Sequence, residues 1–175
     1  MPKTKENVIT KDIKSGIQIL EKQAEMLKIK FGSAMTAATK ENVIVSIPGL
    51  RGKDPKEVSV KNLSSIIEAR MKEIIELVNH EIISSGFQDN LMTGIVITGG
   101  GSQLKNLQQL VSFISAKETR IGYPNEHLSS ESKDLVTSPM YSTGVGLVLK
   151  GFESKVKSFQ NDKNEDNKID EKKPN

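Results

Sequence analysis

Apolar residues return every third or fourth position through most of this chain, and every second position only in short runs. Ile9, Ile13 and Ile17 make one four-residue spacing, and Leu20, Ala24, Leu27 and Phe31 make a second. Each spacing predicts an amphipathic helix. The gap between the two stripes favours a corner near Gly16–Leu20 over one continuous helix. Thr10 is a candidate N-cap, since its hydroxyl can accept an orphan backbone N–H. Gly32 stands where a helix-ending C′ residue is expected. The longest pattern runs from about Ser59 to Ser85 through Leu63, Ile66, Ile67, Met71, Ile74, Ile75, Val78, Ile82 and Ile83. Its steps of three and four predict one long helix with an apolar face. Glu68 and Lys72, four apart, fall on its solvent side.

The alternating run ENVIVSIPG (41–49) predicts a strand ended by Pro48-Gly49. Ile95-Val96-Ile97 is short, continuous and β-branched, which predicts a strand buried on both faces. Leu104, Leu107, Leu110, Val111 and Ile114 then predict a helix, ETRIGYPN a strand near 118–122, and MYSTGVGLVLKGF a last helix. In that helix Gly144 and Gly146 are expected to allow close backbone approach. The order strand–helix–strand–helix predicts an α/β fold. Residues 1–8 read as a flexible start and 9–152 as the folded domain. Residues 153–175 read as a disordered charged linker, too sparse in apolar side chains to offset their ordering entropy.

Composition narrows the function classes. There is no cysteine among the 175 residues, which excludes disulfides and thiolate metal sites. No apolar run reaches the roughly 18 residues that span a bilayer, and MPKTKENVIT lacks a signal-peptide core. The expected location is therefore the cytoplasm. The formal charge is +3, but Lys and Arg are spread among Asp and Glu, and aromatics are only 4%. That argues against nucleic acid as a partner. His80 is expected on the exposed side of the long helix and His127 in a polar loop. No nucleophile–base pair or metal-ligand spacing stands out, so neither catalytic nor metal residues are assigned.

The chemistry concentrates in GIVITGGGSQL (94–104). A strand that ends in glycines and enters a helix can seat a phosphate or nucleoside. Glycine removes the Cβ that would block approach to the main chain, and unpaired N–H groups at the helix start carry partial positive charge. Ser102 is the expected helix cap. Neither the Walker pattern nor the three-glycine dinucleotide fingerprint is present. On residues alone, a ligand-free tight turn explains the glycines equally well.

Four stretches add a resemblance. ITGGGSQLKNL is similar to the adenosine motif of the actin superfamily. DIKSGIQILEKQAEMLKIKFGSA (12–34), RIGYPNEHL (120–128) and SPMYSTGVGLVLKG (138–151) resemble the bacterial cell-division family FtsA, in family order. The resemblance implies half of an actin-like (ribonuclease H-like) ATPase fold, namely the outer subdomain of the second lobe plus part of the inner one. It implies that Gly99, Gly100 and Gly101 lie against ribose and α-phosphate of ATP. Gln103 and Leu104 would then stand on the adenine side, with Glu25 and Lys28 at ribose and adenine. Without the resemblance, Glu25 and Lys28 are an ordinary i,i+3 pair. Mg belongs with ATP in the full-length protein. Because the first lobe and its phosphate hairpins have no counterpart here, millimolar or no ATP binding and no catalysis are expected of residues 1–175.

The resemblance also implies partners. In FtsA the outer subdomain holds the C-terminal tail of FtsZ, a short acidic and apolar peptide, and copies of FtsA self-associate. The cations implied for the tail are Arg51 and Lys53 in the loop, Lys61 at the start of the long helix, and Arg70 and Lys72 in its middle. Arg70 is the foremost of them, because a guanidinium holds a carboxylate bidentately. On residues alone these are a solvated helix face. The family reaches the inner face of the membrane at the division site through an amphipathic helix that has no counterpart in this tail. The alternative is an ATPase lobe of the Hsp70, MreB or sugar-kinase kind. RIGYPNEHL and SPMYSTGVGLVLKG favour the first reading, and ATP turnover would favour the second.

Overall fold

The computed structural model describes residues 8–41, 43–49, 54–125 and 136–155. Arg51, Lys53, His127 and most of the expected charged linker lie outside the described residues. The chain divides into two compact units, Met1–Ile97 with Gly101–Ile121, and Thr98–Gly100 with Gly122–Asn175.

The first unit holds α1 (Val8–Ile17), α2 (Glu21–Phe31), β1 (Ile44–Ile47), β2 (Lys56–Ser59), α3 (Val60–Ser84), β3 (Ile95–Ile97), α4 (Leu107–Ser115) and β4 (Thr119–Ile121). The first two helices are separate, as the gap in the pattern predicts. Gln18 makes the corner in a left-handed conformation, at φ 56°. Thr10 is not an N-cap: α1 already begins at Val8, and Thr10 is buried inside its first turn. Gly32 does end α2, but with φ −63°, so no left-handed turn requires it. The requirement is space. A Cβ there would stand 2.3 Å from the Lys28 carbonyl oxygen and 3.1 Å from Ile67 Cδ1.

β1 and β2 form an antiparallel pair, with Ile44 opposite Ser59 and Ile47 opposite Lys56. Ser59 then caps α3, its side chain accepting from the Asn62 N–H. β3 and β4 form a parallel pair joined through α4, with Ile95 opposite Thr119. Parallel neighbours need such a crossover. The core lies where α1, α2, α3 and α4 meet: Ile13, Leu27, Leu63, Ile67 and Leu110 are buried almost completely. β3 is not buried on both faces. Ile95 and Ile97 pack against the core, while Val96 is 47% exposed. Three β-branched residues in a row fix the strand but not how many of its faces are covered.

In the second unit, Ser138 caps a 3-10 turn, Pro139–Tyr141, and a helix follows through 142–155. We label it α5. It carries on past residue 152, where the sequence suggests the folded domain ends. A Cβ placed on Gly144 or Gly146 would meet no atom of the described residues within 4 Å, so neither glycine serves a close approach there. Thr98 Oγ1 donates to the Gly122 carbonyl oxygen (2.8 Å) and shares a second hydrogen bond with Ser142 Oγ (2.7 Å).

Candidate nucleotide and peptide sites

The glycine turn after β3 is uncrowded, among the described residues, where side chains would stand. Gly99 has φ +86°, a conformation that suits glycine, and no atom of the described residues lies within 4 Å of where its Cβ would be. Gly101 is equally open, and at Gly100 the nearest atom is Met140 Cγ at 3.9 Å. The turn does not run straight into a helix. Gly100–Gln103 is a 3-10 turn, and α4 begins later, after Asn106 at φ 61°. Ser102 is therefore not the cap of α4. It is buried within the turn. A 3-10 turn of four residues offers little dipole, so the electrostatic part of the phosphate-seat argument weakens while the steric part stands. Gln103 is exposed and Leu104 half-buried.

A staple fixes the turn's exit to the end of α2. Ser33 pairs with Lys105 as an isolated parallel bridge, and the Ala34 N–H donates to the Lys105 carbonyl oxygen at 2.8 Å. Ser33 Oγ meets Asn106 Oδ1 at 3.0 Å. The segment that follows Glu25 and Lys28 is thereby tied to the segment that follows Gly101.

Glu25 and Lys28 come together. Lys28 Nζ donates to Glu25 Oε2 at 2.7 Å and to Thr10 Oγ1 at 3.0 Å, and the Thr10 hydroxyl donates to the same Glu25 oxygen at 2.5 Å. The Lys28 side chain is 11% exposed and that of Glu25 43%, so the pair is no ordinary surface pair. Burial pushes the Glu25 carboxyl up. The hydrogen bonds from Lys28 and Thr10, with the Lys28 charge, outweigh it and leave the carboxyl below its ordinary range. The contacts of Thr10 escape sequence reasoning because its partners lie 15 and 18 positions away.

The cations of α3 do not form one cluster. Helical spacing puts Lys72 about 200° round from Arg70, on the flank that also carries Lys61. Lys61 pairs with Glu41 at 2.5 Å, and Lys72 with Glu68 at 2.7 Å. Glu68 also accepts from the Thr36 N–H at 2.6 Å. The bonds from Lys72 and Thr36 hold the Glu68 carboxyl down to about 2. Arg70 faces the other flank, where Asp12 of α1 takes Nε (2.5 Å) and Nη2 (3.1 Å) and Glu73 takes Nη1 (2.5 Å). Chiefly the Asp12 bond raises its pKa further. Arg70 is thus a tie between α1 and α3, not an unengaged cation on a solvated face. Along the same flank stand Ile74 and Leu77, both exposed. His80 lies on α3. Among the described residues no group of three His, Asp or Glu could hold a metal ion, and no helix is long and apolar enough to cross a membrane.

Comparison with known proteins agrees with this architecture. The MreB5 protein of Spiroplasma citri, solved bound to ADP, superposes with a TM-score of 0.62 over 89% of this chain and 46% of its own, at 20% identity. That likeness shows an actin-like fold. Cell division protein FtsA of Pseudomonas aeruginosa is 31% identical over 83% of this chain and 34% of its own length. Its Escherichia coli K12 counterpart is 32% identical over 85% and 36%, and that of Borreliella burgdorferi 33% over 95% and 41%. The chain thus spans little more than a third of the relatives it matches. The sequence profile of Cell division protein FtsA matches residues 3–146. With that profile covering most of its length, the chain belongs to the FtsA family of actin-like cell-division proteins.

Proposed function

We propose that this chain is the part of an FtsA-type adaptor that docks the C-terminal tail of FtsZ and supplies one wall of an ATP seat. The observation that carries the docking reading is the flank of α3 on which Arg70, Ile74 and Leu77 follow one another. An acidic and apolar peptide needs a cation and exposed apolar side chains in line, and this flank offers both. Arg70 keeps Asp12 as its anchor. Its bond to the exposed Glu73 is a surface contact of little worth, which a peptide carboxylate can replace. Lys61 and Lys72, on the opposite flank, take no part.

A labelled FtsZ tail peptide titrated onto the chain by fluorescence anisotropy tests this. Leu77→Ser is expected to weaken binding severalfold with the fold intact, while Lys72→Glu leaves it nearly unchanged. The reverse order, or no binding by the unmutated chain, overturns the assignment. Arg70→Glu is a poorer probe, because it also sets a carboxylate against Asp12.

For ATP, the support lies within the first unit: Gly101, exposed and with no atom of the described residues within 4 Å of where a Cβ would stand, and the fixed pair Glu25–Lys28. Those residues would hold ribose, adenine and α-phosphate. ATP, with Mg, is the ligand this wall would take in the whole protein, and nothing described here is assigned to hydrolysis. Of the two outcomes the sequence leaves open for the chain alone, millimolar binding or none, the fixed Glu25–Lys28 pair favours the millimolar one, one wall of a cleft leaving the ligand exposed. Self-association with further copies and attachment to the inner face of the membrane at the division site complete the proposal for the whole protein.

A further inference from the structure

Thr10 has partners that neither its own helix nor the core requires. It is 3% exposed, in the first turn of α1. A threonine hydroxyl in a helix commonly bonds back to a carbonyl one turn earlier. This one reaches across to α2, donating to Glu25 Oε2 and accepting from Lys28 Nζ. With the bond from Lys28 to Glu25, three side chains close a ring around one carboxylate oxygen. Glu25 Oε1 takes no hydrogen bond from the described residues, and the side chain is partly exposed. One oxygen of Glu25 is fixed and the other is presented.

We infer that Thr10 is a positioning residue of the nucleotide seat: it holds Glu25 so that Oε1 can accept a ribose hydroxyl. The inference rests on reading Glu25 and Lys28 as nucleotide contacts. Lys28 has three N–H donors and, among the described residues, two acceptors. Take away the threonine oxygen, and the buried ammonium loses one of those two. It then turns onto both oxygens of Glu25, and Oε1 is no longer offered. Geometry held by a neighbouring hydrogen bond is what makes such a contact selective.

The readout is discrimination between ATP and 2′,3′-dideoxy-ATP by the 175-residue chain, followed by ligand-observed NMR in the millimolar range. A hydrogen bond to a carboxylate predicts that ATP binds more tightly than the dideoxy analogue, by about tenfold or more. Thr10→Val is expected to bring that ratio to about one, and Thr10→Ser to restore it. Should the valine variant not fold, Thr10→Ala takes its place. A ratio unchanged in the valine or alanine variant overturns the positioning role. So does an equal loss of both nucleotides, the signature of a purely structural residue. No ATP binding by the unmutated chain overturns the nucleotide reading and this inference with it. Binding of ATP without ribose preference overturns this inference alone.

Discussion

The two ends of α3 carry the same apolar spacing and meet opposite fates. In the first half, Leu63, Ser64 and Ile67 are buried completely against α1, α2 and α4. In the second half Leu77 is 68% exposed, and Val78 and Ile83 are about half exposed. Periodicity therefore reports that a helix exists and which side is apolar. It does not report what, if anything, covers that side. The polar residues divide in the same way. Glu68 sits in a network with Lys72 and Thr36, whereas among the described residues Glu73 holds an exposed bond to Arg70 alone. Structure is concentrated at the start of the helix, and the surface available to a partner at its end.

Substitutions can sharpen or break that contrast. Ile67→Ala, in the buried half, is expected to cost about 3 kcal/mol by leaving a cavity between α2 and α3. Urea unfolding measures it, and a cost under about 1 kcal/mol would mean the buried half is loosely packed. Gly32→Ala pushes a methyl group into the Lys28 carbonyl and Ile67 and is expected to cost about 2 kcal/mol in the same assay.

Glu68→Gln is expected to cost about 1–2 kcal/mol near neutral pH, because it weakens two charge-assisted bonds. The sign of its pH dependence follows from the depressed carboxyl. The contribution of Glu68 is fully present above its ordinary value of 4.5 and fades as pH falls toward about 2. The gap between Glu68→Gln and the unmutated chain should therefore close over that window. A gap that stays constant would mean that Glu68 is not stabilised as a carboxylate.

Leu77→Ser, in the exposed half, is expected to change stability by no more than about 0.5 kcal/mol. A loss of about 2 kcal/mol instead would place Leu77 in a packed environment and erase the contrast between the two ends.

How much can be read from sequence follows how local the cause is. The long helix, β1, β3 and β4 rest on spacing within a few residues, and all are present where the pattern puts them. The corner at Gln18 shows as a gap in the stripes. The misreadings concern partners distant in the chain. Thr10 looks like a cap until Glu25 and Lys28 are seen beside it, and Arg70 looks like a surface cation until Asp12, 58 residues earlier, is seen in its fork. Ser102 looks like a helix start because no local signal announces the 3-10 turn and the left-handed Asn106 that come between. The glycine run itself is legible as a stretch free of side chains, and no atom of the described residues lies within 4 Å of where a Cβ would stand at Gly99 or Gly101. What rests on that main chain is a question for titration.

The corner between α1 and α2 sets a rule about chain length. Only Gln18, Ile19 and Leu20 separate the two helices, and Gln18 already sits in an uncommon backbone region. Such a junction has little slack. One residue inserted within the first turn of α2 swings the rest of that helix by about 100° relative to its entry. Glu25 and Lys28 would then leave Thr10 together, while Ala24 and Leu27 leave the core. The joint thus tolerates a change of composition far more readily than a change in its count of residues, and a designer grafting the pair elsewhere must carry the joint along.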